Sequence, residues 1–241
     1  HLILLCENQK GYQNLVKLVS LASLDGFYQK PRVDWELLSQ YHEGLICLSG
    51  CLAGEVAQKL TGDDYAGAKE TALRYRTLFG AENYFLEIQN HQIRDELRNL
   101  PQLIRLSRET GIPLAATNDA HYIRREDAAM QEVLLCIQTG KSLDDPEHMH
   151  FETNEFYLKS TAEMAALFAD VPEAVTNTAK IAERCHVEFQ TGKIWLPKFT
   201  MDGVSDCRKL FLQLCRDGLY QHYGAHPSKE VLDRLRMEIS V

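Results

Sequence analysis

Residues 111–122 read GIPLAATNDAHY. Gly111 and Pro113 end whatever comes before, Leu114 to Ala116 form a short apolar run, and the run closes on Asn-Asp-x-His. That is the pattern of a buried strand delivering polar side chains at its carboxyl end, and we read a strand over 113–119. Three further runs of the same kind lie upstream: HLILLC (1–6), GLICLSG (44–50) and YFLEIQ (84–89). Between them the periodicity turns helical. One helix is expected over 11–23 with Leu15, Leu18, Val19 and Ala22 on a single face. A short helix capped by Asp34 runs through Leu38, and two more cover about 53–60 and 64–78. A charged helix over about 94–110 is closed by Gly111. Short aliphatic strands separated by helices of roughly 10 to 18 residues predict βαβ units and a parallel sheet, open and doubly wound or closed into a barrel. In both, functional groups collect just beyond the carboxyl ends of strands.

Past His121 the texture is helical, over about 125–138, 160–168 and 171–184. Ser160-Thr-Ala-Glu163 has the form of a capping box ahead of Met164, Leu167 and Phe168, and Asp170, Pro172 and Glu173 start the next helix. Residues 186–204, with Gly192, Pro197 and Gly203, read as an irregular connection. Two polar amphipathic helices over about 205–222 and 228–240 follow.

The 241 residues are 45% hydrophobic, enough for a sizeable core. The 34 acids against 26 bases, a net charge of -8, argue against a whole-surface grip on a phosphate backbone and leave only a local basic strip open. No run approaches the roughly 20 apolar residues of a membrane span. The opening residues lack a signal peptide's charged and small-residue regions. The absence of an initial Met, with a start inside a strand-like run, is read as a chain cut from something larger. Seven scattered cysteines suit a reduced, cytoplasmic protein better than a disulfide framework.

Asp119 and His121, two apart in extended chain, face one side. A hard oxygen beside a borderline nitrogen suits zinc, manganese or iron. The plainer alternative on the dipeptide alone is that Asn118-Asp119 caps a turn and His121 packs on Tyr122. Cys51 follows the second strand directly, whereas Cys47, inside it, should point into the core; Cys51 is a ligand only if distant strand ends supply the rest. His1, opening the first strand, is the next candidate. His91 sits in a polar loop at a strand end and could line the same pocket. His148-x-His150 has the form of a metal pair but lies in the charged stretch DDPEHMHFE, where a solvated loop is the simpler reading. His42, His186, His222 and His226 read as surface or satisfied histidines. No nucleophile elbow, Walker A loop or G-x-G-x-x-G loop is present.

Taken in order, HLILLCENQKGYQNLVKLVS, GFYQKPRVD, GLICLSGCLAGEVA, ATNDAHY, FYLKSTAEM and EAVTNTAKIAERC resemble the N-terminal region of the bacterial replicative DNA polymerase III α-subunit family, DnaE type. The resemblance covers almost the whole chain. It implies an α/β fold: an incomplete, distorted (βα)7 barrel of the polymerase-and-histidinol-phosphatase (PHP) type, followed by helical segments leading into the polymerase palm. The later part of the PHP domain would occupy 1–192, with a linker and the start of the palm over 193–241.

In that family nine ligands hold up to three metal ions, and the last four fall on His1, Cys51, Asp119 and His121. The resemblance implies zinc or manganese there and magnesium in a palm site whose catalytic carboxylates this chain does not contain. It implies a DNA-directed DNA polymerase, a nucleotidyltransferase of DNA replication, as the parent. Its partners would be primer–template DNA, deoxynucleotides and replisome subunits (sliding clamp, clamp loader, proofreading subunit). The PHP site would act as a 3′–5′ proofreading exonuclease or, alternatively, as a non-catalytic scaffold docking a proofreading subunit. A stand-alone PHP phosphoesterase is the more distant alternative. With five ligands and the first strands of the barrel upstream of His1, the chain alone is expected to be inactive and to leave strand edges unpaired.

Overall fold

Each apolar run of the sequence becomes a strand, and each capped periodic segment a helix, in a computed structural model that describes residues 1–194, 196–197 and 199–241. Trp195 and Lys198, which fall within the expected linker, lie outside the described residues. In chain order the elements are β1 (Ile3–Cys6), α1 (Gln9–Leu24), β2 (Phe27–Tyr28), β3 (Lys30–Pro31), α2 (Trp35–Gln40), β4 (Leu45–Leu48), α3 (Glu55–Thr61), α4 (Tyr65–Phe79), β5 (Tyr84–Ile88), α5 (Arg94–Thr110) and β6 (Leu114–Ala116). A single 3-10 turn, Arg125–Asp127, then leads into α6 (Ala128–Thr139), α7 (Thr161–Leu167), α8 (Pro172–Arg184), α9 (Cys207–Tyr223) and α10 (Lys229–Ser240).

Several caps fall where the side chains dictate, although α8 starts after Val171 with no side-chain cap rather than on Asp170. Asp34 and Asp64 accept the first free amides of α2 and α4, Ser160 and Glu163 close a reciprocal capping box on α7, and Gly111 ends α5 in the left-handed conformation. On α1 the buried face runs through Gly11, Asn14, Leu18 and Ala22. Val19, expected on that face, is 57% exposed. The helix turns about 100° per residue, and a face that includes Gly11, set close to the Gly44 carbonyl just ahead of β4, leaves Val19 to one side.

The chain divides into two compact units, His1–Phe189 and Gln190–Val241. The first is α/β, built on a sheet of order β1-β4-β5-β6. β4, β5 and β6 are parallel neighbours in chain order. β1 is antiparallel to β4, Ile3 opposite Leu48 and Cys6 opposite Leu45, which corrects the expectation of a wholly parallel sheet. The reason lies in the connection. Glu7 N–H donates to Gly44 O at 2.9 Å, so the chain leaves β1 and enters β4 at one end of the sheet. The excursion through α1, the β2–β3 hairpin and α2 is therefore out-and-back, and β4 must run the opposite way.

Alternate strand residues face two cores. Leu45, Cys47, Tyr84, Leu86, Ile88, Leu114 and Ala116 pack with Leu60, Ala72 and Leu106, so α3, α4 and α5 all cover the same face. Ile46, Leu48, Phe85 and Ala115 form a second cluster with Ile181 of α8. At the free edge of β6, α8 supplies Asn177, whose Nδ2 donates to Leu114 O at 2.8 Å. Arg184 fixes the other end of that helix through Glu7 and the Glu82 carbonyl, both at 2.7 Å.

The second unit carries α9, capped by Asp206, and α10, capped by Ser228. On α10 Arg234 pairs with Glu238 and Arg236 with Asp233, as the mixed charge pattern of a solvated face predicts. Among the described residues no helix is long and apolar enough to cross a membrane.

Candidate metal centre

The antiparallel pairing of β1 decides what meets at the carboxyl ends of β4, β5 and β6. His1 and Leu2, the residues ahead of β1, lie at that same end, which a parallel β1 would have placed at the opposite one. His1 therefore comes beside the turn after β4. Gly50, at φ +84°, leaves the strand in a conformation L-residues rarely adopt, and a Cβ there would stand 2.7 Å from the His1 carbonyl oxygen. The turn sets Cys51 Sγ 3.8 Å from His1 Nδ1, and the His1 amino group donates to Ala53 O at 2.8 Å.

Asp119 and His121 form a second pair beyond β6. His121 Nε2 is 3.3 Å from Asp119 Oδ1, with both side chains partly exposed. The turn-cap alternative is not what forms: among the described residues the Asp119 carboxylate is directed to His121. His121 packs against Phe151, ring centroids 4.7 Å apart, and against the edge of Phe156 at 5.7 Å, rather than on Tyr122. Segment 151–158 is docked here by His121 N–H to Phe156 O (2.8 Å) and Leu158 N–H to Tyr122 O (3.0 Å). Neither aromatic was expected in the site, because nothing in their local sequence points 30 residues back.

Between the pairs lies Glu87, which sequence reasoning missed. Its carboxylate accepts from Gly50 N–H (3.1 Å), Gln89 Nε2 (3.1 Å) and Thr117 Oγ1, and Ser49 Oγ accepts from its amide at 2.9 Å. It joins the ends of β4, β5 and β6. Burial pushes its carboxyl above the usual range, the charge of Asp119 adds to the rise, and the bonds from Thr117, Gly50 and Gln89 pull the other way. The signal was a lone charge inside the apolar run YFLEI.

His91 does not present its ring to a shared pocket; it is 1% exposed. Its Nδ1 lies 2.8 Å from Glu96 Oε1, its own amide donates to Glu96 Oε2 at 2.6 Å, and its Nε2 accepts from Asp119 N–H at 3.3 Å. The ring stacks on Phe156 at 4.4 Å and 2°, and Thr153 Oγ1 donates to the His91 carbonyl at 2.7 Å.

The solvated-loop reading of residues 144–152 holds, the segment being irregular and mostly exposed, with the His148 side chain drawn in against α6. Nε2 lies 2.6 Å from Glu132 Oε1 of α6, and Nδ1 2.6 Å from Asp145 O. Both nitrogens face acceptors, so the Glu132 bond first and the Asp145 carbonyl second raise the pKa of this ring. His150 Nδ1 turns to the His148 carbonyl at 3.2 Å, so the two imidazoles do not chelate. His42, with Nδ1 2.8 Å from Ser39 O, is a satisfied histidine as expected.

The donors present, one thiol, two imidazoles and one carboxylate, are of the kinds that hold zinc or manganese. They stand as two pairs at one end of the sheet. Among the described residues no group of three or more His, Cys, Asp or Glu is arranged to hold an ion.

Residues 1–91 match the PHP domain family. The chain is 45% identical, over its full length, to DNA polymerase III subunit alpha of Treponema pallidum, covering 21% of that protein. Along its whole length the chain is similar to DNA polymerase III α subunits. Across 85% of the chain it is 42% identical to the subunit of Borreliella burgdorferi, and across 90% it is 43% identical to that of Thermus aquaticus. The chain spans about a fifth of the length of these α-subunit relatives, 18–21% in the three cases.

Proposed function

We propose that the chain is part of a bacterial replicative DNA-directed DNA polymerase that works in the cytoplasm. The observation that carries this is similarity to DNA polymerase III α subunits along the whole chain rather than at one motif. Residues 1–192 would be the later part of a PHP domain, and 193–241 a linker and the start of the palm. A (βα)7 barrel is compatible with the winding: β4, β5 and β6 follow one another in chain order with α3, α4 and α5 on one face, a run shared by a closing barrel and by either half of a doubly wound sheet. Primer–template DNA and deoxynucleotides would be the parent's substrates, and the sliding clamp, clamp loader and a proofreading subunit its partners. Magnesium would serve a palm outside this chain.

His1, Cys51, Asp119 and His121 would hold divalent ions of the zinc or manganese class, which when bound supply Lewis-acid chemistry toward a phosphodiester. The chain's own part is to present those donors from fixed turns and to join their strand ends through Glu87. A 3′–5′ proofreading exonuclease is the activity this arrangement supports. The second reading, a PHP scaffold that docks a separate proofreading subunit, is favoured by the division of the donors into two pairs. The test uses the full-length gene product, comparing Asp119→Asn and His121→Ala with wild type for bound Zn²⁺ or Mn²⁺, primer extension and removal of a mismatched primer end. Loss of metal and of end removal with extension intact is the expected result. Full-length protein that extends primers, holds no metal and leaves mismatched ends untouched would sink the exonuclease reading in favour of the scaffold.

A further inference from the structure

The second donor pair stands on exposed chain just past β6, and something must hold its backbone. Residues 117–122 form no regular element apart from the isolated bridge of Tyr122 to Tyr157. A carboxylate on a free loop would spend most of its time turned away from its neighbour. We propose that His91 is a positioning residue for this pair, fixing the Asp119 backbone so that its carboxylate lies beside His121. The inference rests on the reading of Asp119 and His121 as ligands.

The bond pattern of His91 has a direction. Its Nε2 receives a backbone N–H, so the ring proton sits on Nδ1 and is donated to Glu96. Glu96, itself buried, is anchored in the first turn of α5 and receives the His91 amide with its other oxygen. The chain of contacts therefore runs from α5 through Glu96 and the imidazole to the Asp119 peptide. The same ring forms the floor for Phe156, which stacks on Phe151 at 4.4 Å, and these two rings flank His121. One buried side chain thus governs both members of the pair, Asp119 by a hydrogen bond and His121 through the stack.

Two substitutions separate these effects. Gln at 91 places an acceptor near the position of Nε2 and keeps the bond from Asp119 N–H. Asn places a donor near the position of Nδ1, keeps Glu96 and cannot reach Asp119. Both remove the stacked ring, so lost packing is common to the two. In the full-length gene product, Mn²⁺ binding is followed by electron paramagnetic resonance, with Asp119→Asn as the control lacking the ligand, and amide exchange of residues 117–122 by mass spectrometry. His91→Asn should weaken Mn²⁺ binding about tenfold or more, the size expected for losing a group that orients a ligand, with His91→Gln within about threefold of wild type. Exchange of 117–122 should accelerate in His91→Asn and much less in His91→Gln. Equal effects of the two variants on both readouts, or none, overturn the positioning role. Wild-type protein that binds no Mn²⁺ defeats the metal reading instead. The exchange comparison then decides His91 alone: a difference between the variants upholds it and equality overturns it.

Discussion

Replacing Glu87 by Ala and by Gln tests whether one carboxylate ties the strand ends of the candidate centre together. In Glu87→Ala three donors lose their acceptor. Thr117 and Gln89 are half-buried and can turn to water, so each contributes little. Gly50 N–H is different, because Gly50 is buried and its amide points at Glu87. An orphaned buried donor costs about 1–3 kcal/mol. Against this stands relief from burying a charge, whose cost is evident in the raised carboxyl pKa. The balance is a net loss of about 1–2 kcal/mol, which for a unit of 189 residues lowers Tm by about 3–6 °C. Glu87→Gln keeps an acceptor toward Gly50. Its amide nitrogen can take the other position once Gln89 flips and the Thr117 hydroxyl rotates, so its cost should stay under about 1 kcal/mol. Thermal unfolding of the two variants beside wild type is the assay, with amide exchange of residues 49–54 as the local readout. Faster exchange there in Glu87→Ala alone is the expected pattern. A neutral Glu87→Ala, or a Glu87→Gln as damaging as Glu87→Ala, would refute the reasoning.

Gly11→Ala should destabilise the protein by about 2 kcal/mol or more in urea unfolding, because the new methyl would meet the Gly44 carbonyl, with its carbon 2.5 Å away. Helix propensity alone predicts a gain of about 1 kcal/mol, so a more stable variant would show that α1 does not press on β4. The His148 clamp between α6 and the Asp145 turn depends on a ring whose folded pKa is raised, chiefly by Glu132. Its contribution is full below pH 6.5 and is lost as pH rises through the folded value; amide exchange of 141–150 should accelerate across that rise in wild type and be flat in His148→Gln. Glu163 accepts from Ser160 and Tyr157, and these bonds hold its carboxyl down to about 2. The stability it gives α7 is present above the ordinary value of 4.5 and lost as pH falls toward 2, so Glu163→Gln should flatten the acid limb of exchange in residues 160–168.

The elements were legible because their signals are local. Asp34, Asp64, Ser160 and Gly111 mark helix ends through bonds to residues three or four away, and the four apolar runs are too short for helices. Strand direction was not legible, since alternation of apolar residues is the same read up or down. The antiparallel β1 followed from an excursion whose two ends meet at Glu7 and Gly44, 37 residues apart in sequence by their numbers. The candidate donors could be named from residue type, position and resemblance. What holds them could not. Glu87 reaches Gly50 and Thr117 across the sheet, and His91 reaches Asp119 across 28 positions, and no local pattern announces such contacts.

These supports differ in kind, and the difference says how the two pairs can respond to damage. His1 and Cys51 are set by strand register and a left-handed glycine turn, both properties of backbone. Asp119 and His121 are set by a buried imidazole and two stacked phenyl rings, both properties of side chains more than 25 residues away in sequence. Among the described residues the Glu87 carboxylate is the side chain that bonds both turn regions, through Gly50 on one side and Thr117 on the other. With Glu87 in place, perturbing Gly50 and His91 together should therefore give effects on exchange in 49–54 and 117–122 that do not simply add. In a Glu87→Ala background the same two changes should add, because the link between the turns is already gone.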